Sequence, residues 1–376
     1  MKILQVINRL NRGGGAEKFV MDLTISLSKS PTEEMSLVSI CTPQNEDYTQ
    51  QLEKNDIKCY TLSTKLYSLS VLFKLYRFLR QHPQDVIHAH LFPTLYYIGL
   101  AKFLKIIKCP IIYTEHSTKN KRRKSILLRI IDQFIYRQYD SVIAISEQVK
   151  YNLQEHLKII EPVVINNGIS LSEIDAAQTL NLHHELCIDS SVKFVTMIAR
   201  FVPGKDYLTL FKAIQQLSEN IHAVCVGDGP NMKETQMIAH EMKLSNRIHF
   251  MGLRSDVISI IKGSDIVVLS TEHEGFSISM LEAMACRKPF VASAVEGIND
   301  LVLGVAELFD YQNDKVLTSI IYKLLNDKTF YNKVAERCHL YALKYNIYNI
   351  AKYYSDNYMR HYNHQKHSSS DSHKYY

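Results

Sequence analysis

Residues 193–226 read KFVTMIARFVPGKDYLTLFKAIQQLSENIHAVCV and contain a complete strand–helix–strand pattern. The apolar run over 193–198 predicts a strand, and a polar loop separates it from the helical spacing of 206–217. A second apolar run predicts another strand over 221–226. A strand, a helix and a second strand in succession are typical of a parallel sheet covered by helices. This stretch therefore predicts an α/β fold.

The same alternation extends through most of the chain. Before residue 146, strand-like runs and helical patterns alternate at 2–7, 15–29, 35–41, 68–80, 85–89, 94–104, 110–114, 125–138 and 141–145. After residue 226, they alternate at 230–242, 247–250, 255–262, 265–269, 276–286 and 289–292. The two series predict two α/β halves of similar size.

A turn dipeptide, Asn167-Gly168, and a polar stretch to about Ser191 separate the two series. We therefore predict one domain over 1–168 and a second over 169–340. A helical pattern continues over 341–362, and the polar residues 363–376 have no apolar period. This last segment is predicted to be a disordered tail.

Composition limits the classes of protein that fit. The chain has 376 residues, of which 46% are hydrophobic and 22% charged, and this suits two globular domains. Its apolar runs are much shorter than the roughly 20 residues of a membrane span. The first residues, MKILQVINR, lack a secretory core, so we expect a cytoplasmic protein. The seven cysteines are scattered and indicate neither a disulfide framework nor a zinc site.

The positive charge is concentrated in one window. The formal net charge is +6, and residues 101–140 hold ten basic and three acidic side chains. A cluster with Lys121, Arg122, Arg123 and Lys124 precedes a helical apolar pattern over 125–135. This combination suits an anionic membrane surface. A solvated loop beside a core helix is the alternative, and nucleic acid is disfavoured because no nucleic-acid module accompanies the cluster.

A glycine loop follows the first predicted strand. Gly13, Gly14 and Gly15 lead into the first helix, where a backbone without side chains and free N–H groups suit an anion. The spacing matches neither the dinucleotide fingerprint nor the nucleotide-triphosphate loop, and this disfavours a dehydrogenase. A phosphate-type site and a plain tight turn both stay open.

Three histidines end strands of the first half. His116 follows the strand 110–114 and should face the same sheet edge as the glycine loop. His88 and His90 stand at alternate positions of another strand and so share a face. Two histidines without a third ligand do not make a metal site, and we interpret them as polar residues at a strand end.

Two cations follow the strand 193–198. Arg200 and Lys205 lie in the loop before a helix that Asp206 can cap. Ligands of open α/β sheets bind at the carboxyl ends of the strands, so this pair is well placed for a diphosphate. A solvated loop with two charges is the alternative.

Two carboxylates flank another strand–helix junction. Glu274 and Glu282 are eight residues apart in EHEGFSISMLEAMA, which over continuous helix is about 12 Å. This exceeds the roughly 5–9.5 Å of glycosidase acid/base pairs. We therefore expect the two carboxylates to contact different parts of one long ligand. A ribose diol suits a carboxylate beside the helix, and the first N–H groups of the helix suit a phosphate.

Taken in order, these motifs resemble the retaining nucleotide-sugar glycosyltransferases of the GT-B fold. The resemblance spans nearly the whole chain, and its motifs are Gly14-Gly15-Ala16-Glu17, His88-Ala89-His90, Thr114-Glu115-His116, Ala144-Ile145-Ser146, Asn167-Gly168, Ala199-Arg200-Phe201 with Lys205, Gly227-Asp228-Gly229-Pro230, Phe250-Met251-Gly252 and Glu274 with Glu282. It implies two Rossmann-like domains facing a central cleft. The acceptor would lie mainly on the first domain and the sugar nucleotide on the second, with the helix over 341–362 returning to the first.

The resemblance also implies a role for each site residue. Arg200 and Lys205 would hold the diphosphate and stabilise the leaving group. The remaining contacts with the donor would come from Glu274 and the N–H groups of Gly275, Phe276 and Ser277 at the sugar and phosphates, Glu282 at the ribose, Gly14 and Gly15 at the diphosphate, and His116 at the transferred sugar.

The expected function is transfer of a hexose or N-acetylhexosamine, with retention of configuration, from a UDP- or GDP-sugar. The expected acceptor is a lipid-linked or cell-surface glycan of polysaccharide, lipopolysaccharide or capsule biosynthesis, at the inner face of the membrane. No Asp-x-Asp pair occurs in the sequence, so we expect no metal cofactor. A non-catalytic sugar-nucleotide-binding subunit and a nucleotide-sugar epimerase of similar fold are the alternatives.

Overall fold

The computed structural model describes residues 1–118, 125–158 and 160–371, with side chains up to His367. The chain divides into two compact units. Residues 1–168 together with the C-terminal segment from Ile347 form the first unit, and Ile169–Asn346 form the second.

A parallel sheet forms the centre of the first unit. Its described strands are β1 (Lys2–Ile7), β2 (Glu34–Cys41), β3 (Lys58–Ser63), β4 (Val86–His90), β5 (Ile111–Glu115), β6 (Ser141–Ala144) and β7 (Val163–Val164). Their order is β3-β2-β1-β4-β5-β6-β7. In β1, Ile3, Leu4 and Val6 are fully buried, as expected for a parallel strand covered on both faces. The chain changes direction across the sheet between β1 and β4.

Helices cover both faces of this sheet. Those before residue 169 are α1 (Gly15–Ser28), α2 (Asp47–Glu53), α3 (Ser70–Gln81), α4 (Thr94–Phe103), α5 (Ile126–Tyr136) and α6 (Glu147–Leu157). Ser125 and Ser146 cap α5 and α6 by accepting hydrogen bonds from backbone N–H groups. The sequence patterns missed α2, α6, β3 and β7.

The second unit has its own parallel sheet. Its described strands are β8 (Lys193–Ile198), β9 (Ile221–Val226), β10 (Ile248–Gly252), β11 (Ile266–Leu269), β12 (Phe290–Ser293) and β13 (Glu307–Phe309). Their order is β10-β9-β8-β11-β12-β13. The strand order reverses between β8 and β11, and ligands of open α/β sheets bind at the carboxyl ends beside such a reversal.

The helices of the second unit are α7 (Leu171–Ala176), α8 (Leu182–Glu185), α9 (Tyr207–Gln216), α10 (Met232–Glu241), α11 (Val257–Gly263), α12 (Ile278–Ala285), α13 (Asn299–Val302), α14 (Asp314–Asn326) and α15 (Lys328–Ala342). The first two lie in the polar stretch that the sequence patterns left without structure. Ser170 and Asn181 cap them, so polar side chains that look like a linker here start helices.

The last helix, α16 (Ile347–Asp371), belongs to the first unit and packs against α1. The predicted disorder is wrong for 363–371, which are helical, whereas 372–376 lie outside the described residues. No glycine or proline interrupts α16, and the Gln365 amide donates a hydrogen bond to the Lys108 carbonyl at 2.5 Å. Among the described helices, none is both long and apolar enough to span a bilayer.

Candidate functional site

The loop after β8 carries the two predicted cations. Arg200 follows the strand by two residues, and its side chain is exposed. Lys205 is more enclosed, with 17% of its side chain exposed, and its ammonium donates a hydrogen bond to Oε2 of Glu274. Asp206 then caps α9 by accepting a hydrogen bond from the Thr209 N–H at 3.1 Å. The end of β8 thus presents one exposed cation and one cation paired with a carboxylate.

The loop after β11 is joined to this loop by hydrogen bonds. The Thr271 hydroxyl and the Glu272 N–H both donate to the Gly204 carbonyl, at 3.0 and 2.8 Å. Oε1 of Glu274 accepts a hydrogen bond from the Gly275 N–H at 3.2 Å. Because β8 and β11 are neighbours at the reversal of strand order, Lys205 and Glu274 meet where this fold places ligands.

Glycines allow close approach of the backbones around the site. Gly297 has φ +85°, and a Cβ there would lie 1.9 Å from the Glu274 carbonyl oxygen. Gly227 has φ +141°, and a Cβ there would lie 2.1 Å from the Ala199 carbonyl oxygen. Both conformations suit glycine and exclude a side chain. The two loops that carry Arg200 and Glu274 are therefore fixed by backbone contact.

The start of α12 corrects one expectation. Ser277 caps the helix, since its hydroxyl accepts a hydrogen bond from the Met280 N–H at 3.3 Å. Glu274 lies four residues before the first helical residue, so the separation calculated for continuous helix between Glu274 and Glu282 does not apply. Glu282 lies within α12 and is 4% exposed. Phe276 is buried, with its ring 5.1 Å from that of Tyr345.

In the first unit, the glycine loop lies at the end of β1, beside the reversal of strand order. Gly13 has φ +102°, and Gly14 is the extended residue before α1. A Cβ at Gly14 would lie 1.9 Å from the Glu17 carboxylate. The first turn of α1 thus carries a carboxylate at the position where the sequence predicted an anion.

His116 lies at the same sheet edge, directly after β5. Its Nε2 is 3.1 Å from Nδ1 of His90, whereas its own Nδ1 is buried and has no hydrogen-bond partner among the described residues. Burial lowers the pKa of His116 to about 3. The imidazole is therefore neutral at physiological pH.

His88 and His90 belong to a buried network that sequence reasoning missed. Both are fully buried, and burial lowers the pKa of each well below its usual value. His88 contacts the Tyr358 hydroxyl at 2.6 Å, and His90 contacts Oε1 of the Gln5 side chain at 2.7 Å. The one available signal was Gln5, a polar residue inside the apolar run 2–7. Within the described residues, no cluster of three or more His, Cys, Asp or Glu side chains could hold a metal ion.

The four basic residues predicted to contact a membrane, Lys121, Arg122, Arg123 and Lys124, lie outside the described residues. The apolar residues that follow them are described. Ile126, Leu127 and Ile130 on α5 are 80%, 68% and 60% exposed.

Both halves of the chain match known protein families. The family "Glycosyltransferase Family 4" matches residues 13–173, and the family "Glycosyl transferases group 1" matches residues 180–343. The chain is a group 1 glycosyltransferase. The two matches contain all of the candidate site residues, and the prediction of a glycosyltransferase is confirmed.

Curated relatives of this group 1 glycosyltransferase include bacterial enzymes. One is the UDP-Gal:alpha-D-GlcNAc-diphosphoundecaprenol alpha-1,3-galactosyltransferase of Escherichia coli, 26% identical over 72% of this chain and 75% of the relative. Another is the N,N'-diacetylbacillosaminyl-diphospho-undecaprenol alpha-1,3-N-acetylgalactosaminyltransferase of Campylobacter jejuni, 30% identical over 43% of each chain.

Solved structures of similar fold include Anabaena Alr3699/HepE in complex with UDP-glucose. It matches with a TM-score of 0.81 and 22% identity, over 95% of this chain and 99% of that one. WaaG, a glycosyltransferase of lipopolysaccharide biosynthesis, matches with a TM-score of 0.70 and 13% identity, over 94% and 98%. The group 1 glycosyltransferase therefore has the GT-B fold, as the sequence predicted.

Proposed function

We propose that this group 1 glycosyltransferase moves a hexose or N-acetylhexosamine from a UDP- or GDP-sugar to a lipid-linked or cell-surface glycan, with retention of anomeric configuration. The observation that carries the proposal is the placement of Arg200 and of the Lys205–Glu274 pair at the reversal of strand order. The Escherichia coli and Campylobacter jejuni relatives act on diphosphoundecaprenol-linked sugars, and HepE binds UDP-glucose. These relatives support the classes of acceptor and donor.

Departure of the nucleoside diphosphate builds negative charge on its phosphate oxygens. In the proposed reaction, Arg200 and Lys205 stabilise that charge, and N–H groups at the start of α12 add to the effect. Glu274 orients the Lys205 ammonium before the donor binds and then contacts the donor sugar. Because Arg200 and Lys205 supply two positive charges at the diphosphate in this mechanism, we propose that the reaction needs no divalent metal.

The remaining donor contacts are proposed from the family resemblance. Glu282 binds the ribose, Gly14 and Gly15 approach the diphosphate, and His116 contacts the transferred sugar. A general base works best when its pKa is near the operating pH, whereas the pKa of His116 is about 3. His116 therefore acts as a neutral hydrogen-bonding group and not as the base of the reaction.

A panel of sugar nucleotides tests the proposal. Binding and slow hydrolysis are measured for each donor, with magnesium and with a chelator, for the wild type and for Lys205→Ala, Arg200→Ala and Glu282→Ala. We expect one preferred donor, turnover that survives the chelator, and a loss of roughly 10²-fold in Lys205→Ala and Arg200→Ala, as for removal of one oxyanion donor. Glu282→Ala should weaken donor binding more than it slows turnover.

Lys193 provides the matched control. It lies at the opposite end of β8, where its ammonium is 3.4 Å from Asp265 and its side chain is 51% exposed. Lys193→Ala should leave turnover unchanged. Wild-type turnover in Lys205→Ala and Arg200→Ala, or turnover abolished by the chelator, would contradict the proposed mechanism. Turnover of a donor to an isomeric sugar nucleotide without any acceptor would favour the epimerase.

We propose further that α5 contacts an anionic membrane at the inner face of the cell. Its exposed residues Ile126, Leu127 and Ile130 are apolar. Its inner face is fixed by buried Asp132, whose Oδ2 lies 2.9 Å from Nε2 of His156. The apolar face is therefore held outward, next in sequence to the basic cluster. Each basic residue near an anionic surface adds about 1 kcal/mol.

Vesicle sedimentation tests this contact. The wild type should bind vesicles of anionic lipid and bind neutral vesicles weakly. Binding should fall in a Lys121, Arg122, Arg123, Lys124→Ala variant and in an Ile126, Leu127, Ile130→Ser variant. The control variant changes three exposed apolar residues of the second unit, Met237, Leu303 and Leu340, to Ser. Equal binding by all four proteins would contradict a specific contact through α5.

A further inference from the structure

A line of hydrogen bonds runs through the interior of the first unit from α16 to His116. Nε2 of the Gln5 side chain donates to the Tyr358 hydroxyl at 3.2 Å, and Oε1 of Gln5 lies 2.7 Å from Nε2 of His90. Nδ1 of His90 then lies 3.1 Å from Nε2 of His116. Gln5, His90 and Tyr358 are fully buried, so bulk solvent does not compete for these bonds.

The chemistry of each group fixes the direction of these bonds. Oε1 of Gln5 only accepts, so Nε2 of His90 carries a proton. A neutral imidazole carries one proton, and burial keeps His90 neutral. Nδ1 of His90 is therefore an acceptor, and Nε2 of His116 must donate to it. Nδ1 of His116 is then left without a proton.

The reverse direction is less favourable. If the side-chain amide of Gln5 is rotated by 180°, its nitrogen donates to Nε2 of His90. His90 then carries its proton on Nδ1 and donates to Nε2 of His116, so that the proton of His116 lies on Nδ1. That N–H would be buried, and no described residue accepts from it. Buried N–H groups without a partner are rarer in proteins than acceptors without one. The unpaired nitrogen of His116 is therefore the acceptor.

A second branch agrees with this direction. The Tyr358 hydroxyl accepts from Gln5 and so has its own proton to give to Nδ1 of His88, at 2.6 Å. Nε2 of His88 then carries the proton and donates to the Thr114 hydroxyl at 2.8 Å. The Tyr358 hydroxyl thus accepts one hydrogen bond, from Gln5, and donates another, to His88.

We propose that Tyr358 and Gln5 are positioning residues that act through His90 and hold His116 in the tautomer protonated on Nε2, so that Nδ1, buried before the donor binds, accepts a hydrogen bond from a hydroxyl group of the donor sugar once binding opens that side of the ring. The sugar contact rests on the function proposed for His116 above, whereas the tautomer follows from the buried network alone. A helix near the C-terminus thereby sets the protonation pattern of a residue that is more than 230 positions away in the sequence.

Nitrogen-15 NMR of the full chain labelled at histidine tests the tautomer. Two-bond proton–nitrogen correlations distinguish protonated from unprotonated ring nitrogens, and His116 is assigned by the loss of its signals in His116→Gln. We expect the wild type to show one tautomer of His116, protonated on Nε2. Tyr358→Phe and Gln5→Leu should each give a mixture of tautomers and a roughly tenfold lower turnover, about the loss of one hydrogen bond of 1.4 kcal/mol.

Tyr139→Phe is the matched control. Tyr139 is also buried, and its hydroxyl donates to the Leu95 carbonyl at 2.7 Å, away from the network. It should lose a similar amount of stability and keep both the His116 signals and the turnover. Thermal unfolding is measured for every variant, so that a folding defect in Tyr358→Phe is recognised. If that variant does not fold, the tautomer of His116 in Gln5→Leu decides the test.

The outcomes separate the two parts of the proposal. A wild-type His116 that is protonated on Nδ1, or that keeps its tautomer in both Tyr358→Phe and Gln5→Leu, would overturn the positioning role. A tautomer that changes as expected, with unchanged turnover, would overturn the contact between His116 and the sugar and leave the positioning role intact.

Discussion

At the scale of single residues, His88, His90 and His116 couple the stability of the first unit to pH. Burial lowers the pKa of His88, His90 and His116, the last to about 3. In the unfolded chain their pKa returns to about 6.5. Below that pH the unfolded state binds more protons than the folded state, so stability decreases as the pH falls. The loss begins near pH 6.5 and continues toward the folded-state values.

This coupling predicts the slope of stability against pH. Each of the three histidines should contribute up to about 1.4 kcal/mol per pH unit to the free energy of unfolding below pH 6. Urea unfolding between pH 7.5 and 5 measures the slope. The difference in slope between the wild type and His88→Gln gives the contribution of the one proton that His88 binds on unfolding. Identical slopes for the two proteins would show that His88 is not held neutral in the folded state.

At the scale of loops and strands, Gly297 and Gly304 form a test pair. Both have positive φ, +85° and +74°, but a Cβ on Gly297 would collide with the Glu274 carbonyl oxygen, whereas a Cβ on Gly304 would meet nothing within 4 Å. Gly304→Ala should cost only the left-handed strain of about 1–2 kcal/mol. Gly297→Ala should cost more and also weaken donor binding, because the Glu274 backbone must move.

Urea unfolding and donor affinity of the two alanine variants measure this difference. Equal loss of stability, with unchanged donor affinity in Gly297→Ala, would show that the backbone contact between Gly297 and Glu274 does not hold the site together.

The sequence predicted those strands whose residues are mostly apolar along their whole length. Apolar runs such as 193–198 and 221–226 predicted buried parallel strands, because a strand covered on both faces needs no alternation. The sequence did not predict where α12 begins. The helical spacing continues between Glu274 and Ile278, although the backbone is still extended at Ser277. The pairing of Lys205 with Glu274 was also invisible, because the two residues meet through the order of strands and not through spacing along the chain.

At the scale of the whole molecule, the first unit is discontinuous in sequence. Its final helix supplies Tyr354 and Tyr358, both fully buried, and Phe19 of α1 packs 5.7 Å from the ring of Tyr354. Sequence patterns placed a helix in this region, but they did not predict that its Tyr358 completes a hydrogen-bond network around Gln5 and His88. Such contacts join residues more than 260 positions apart, and local patterns carry no information about them.

This organisation predicts that the two units differ when they are produced separately. The fragment 169–346 contains a whole sheet with its own core and should unfold cooperatively. The fragment 1–168 lacks α16, so it exposes apolar surface on α1 and leaves the buried polar atoms of Gln5 and His88 without Tyr358. An unpaired buried polar group costs about 1–3 kcal/mol, and this fragment should aggregate or stay unfolded.

Circular dichroism and thermal unfolding of the two fragments measure the difference, and co-expression of residues 347–371 supplies the missing helix. Co-expression should restore cooperative unfolding to 1–168, whereas a segment carrying Tyr354→Ser and Tyr358→Ser should not, because it removes the aromatic rings together with the network hydroxyl. Cooperative unfolding of 1–168 by itself, at the temperature found with the segment present, would mean that the first sheet and its preceding helices make a complete core and that α16 adds only the hydrogen bonds of Tyr358.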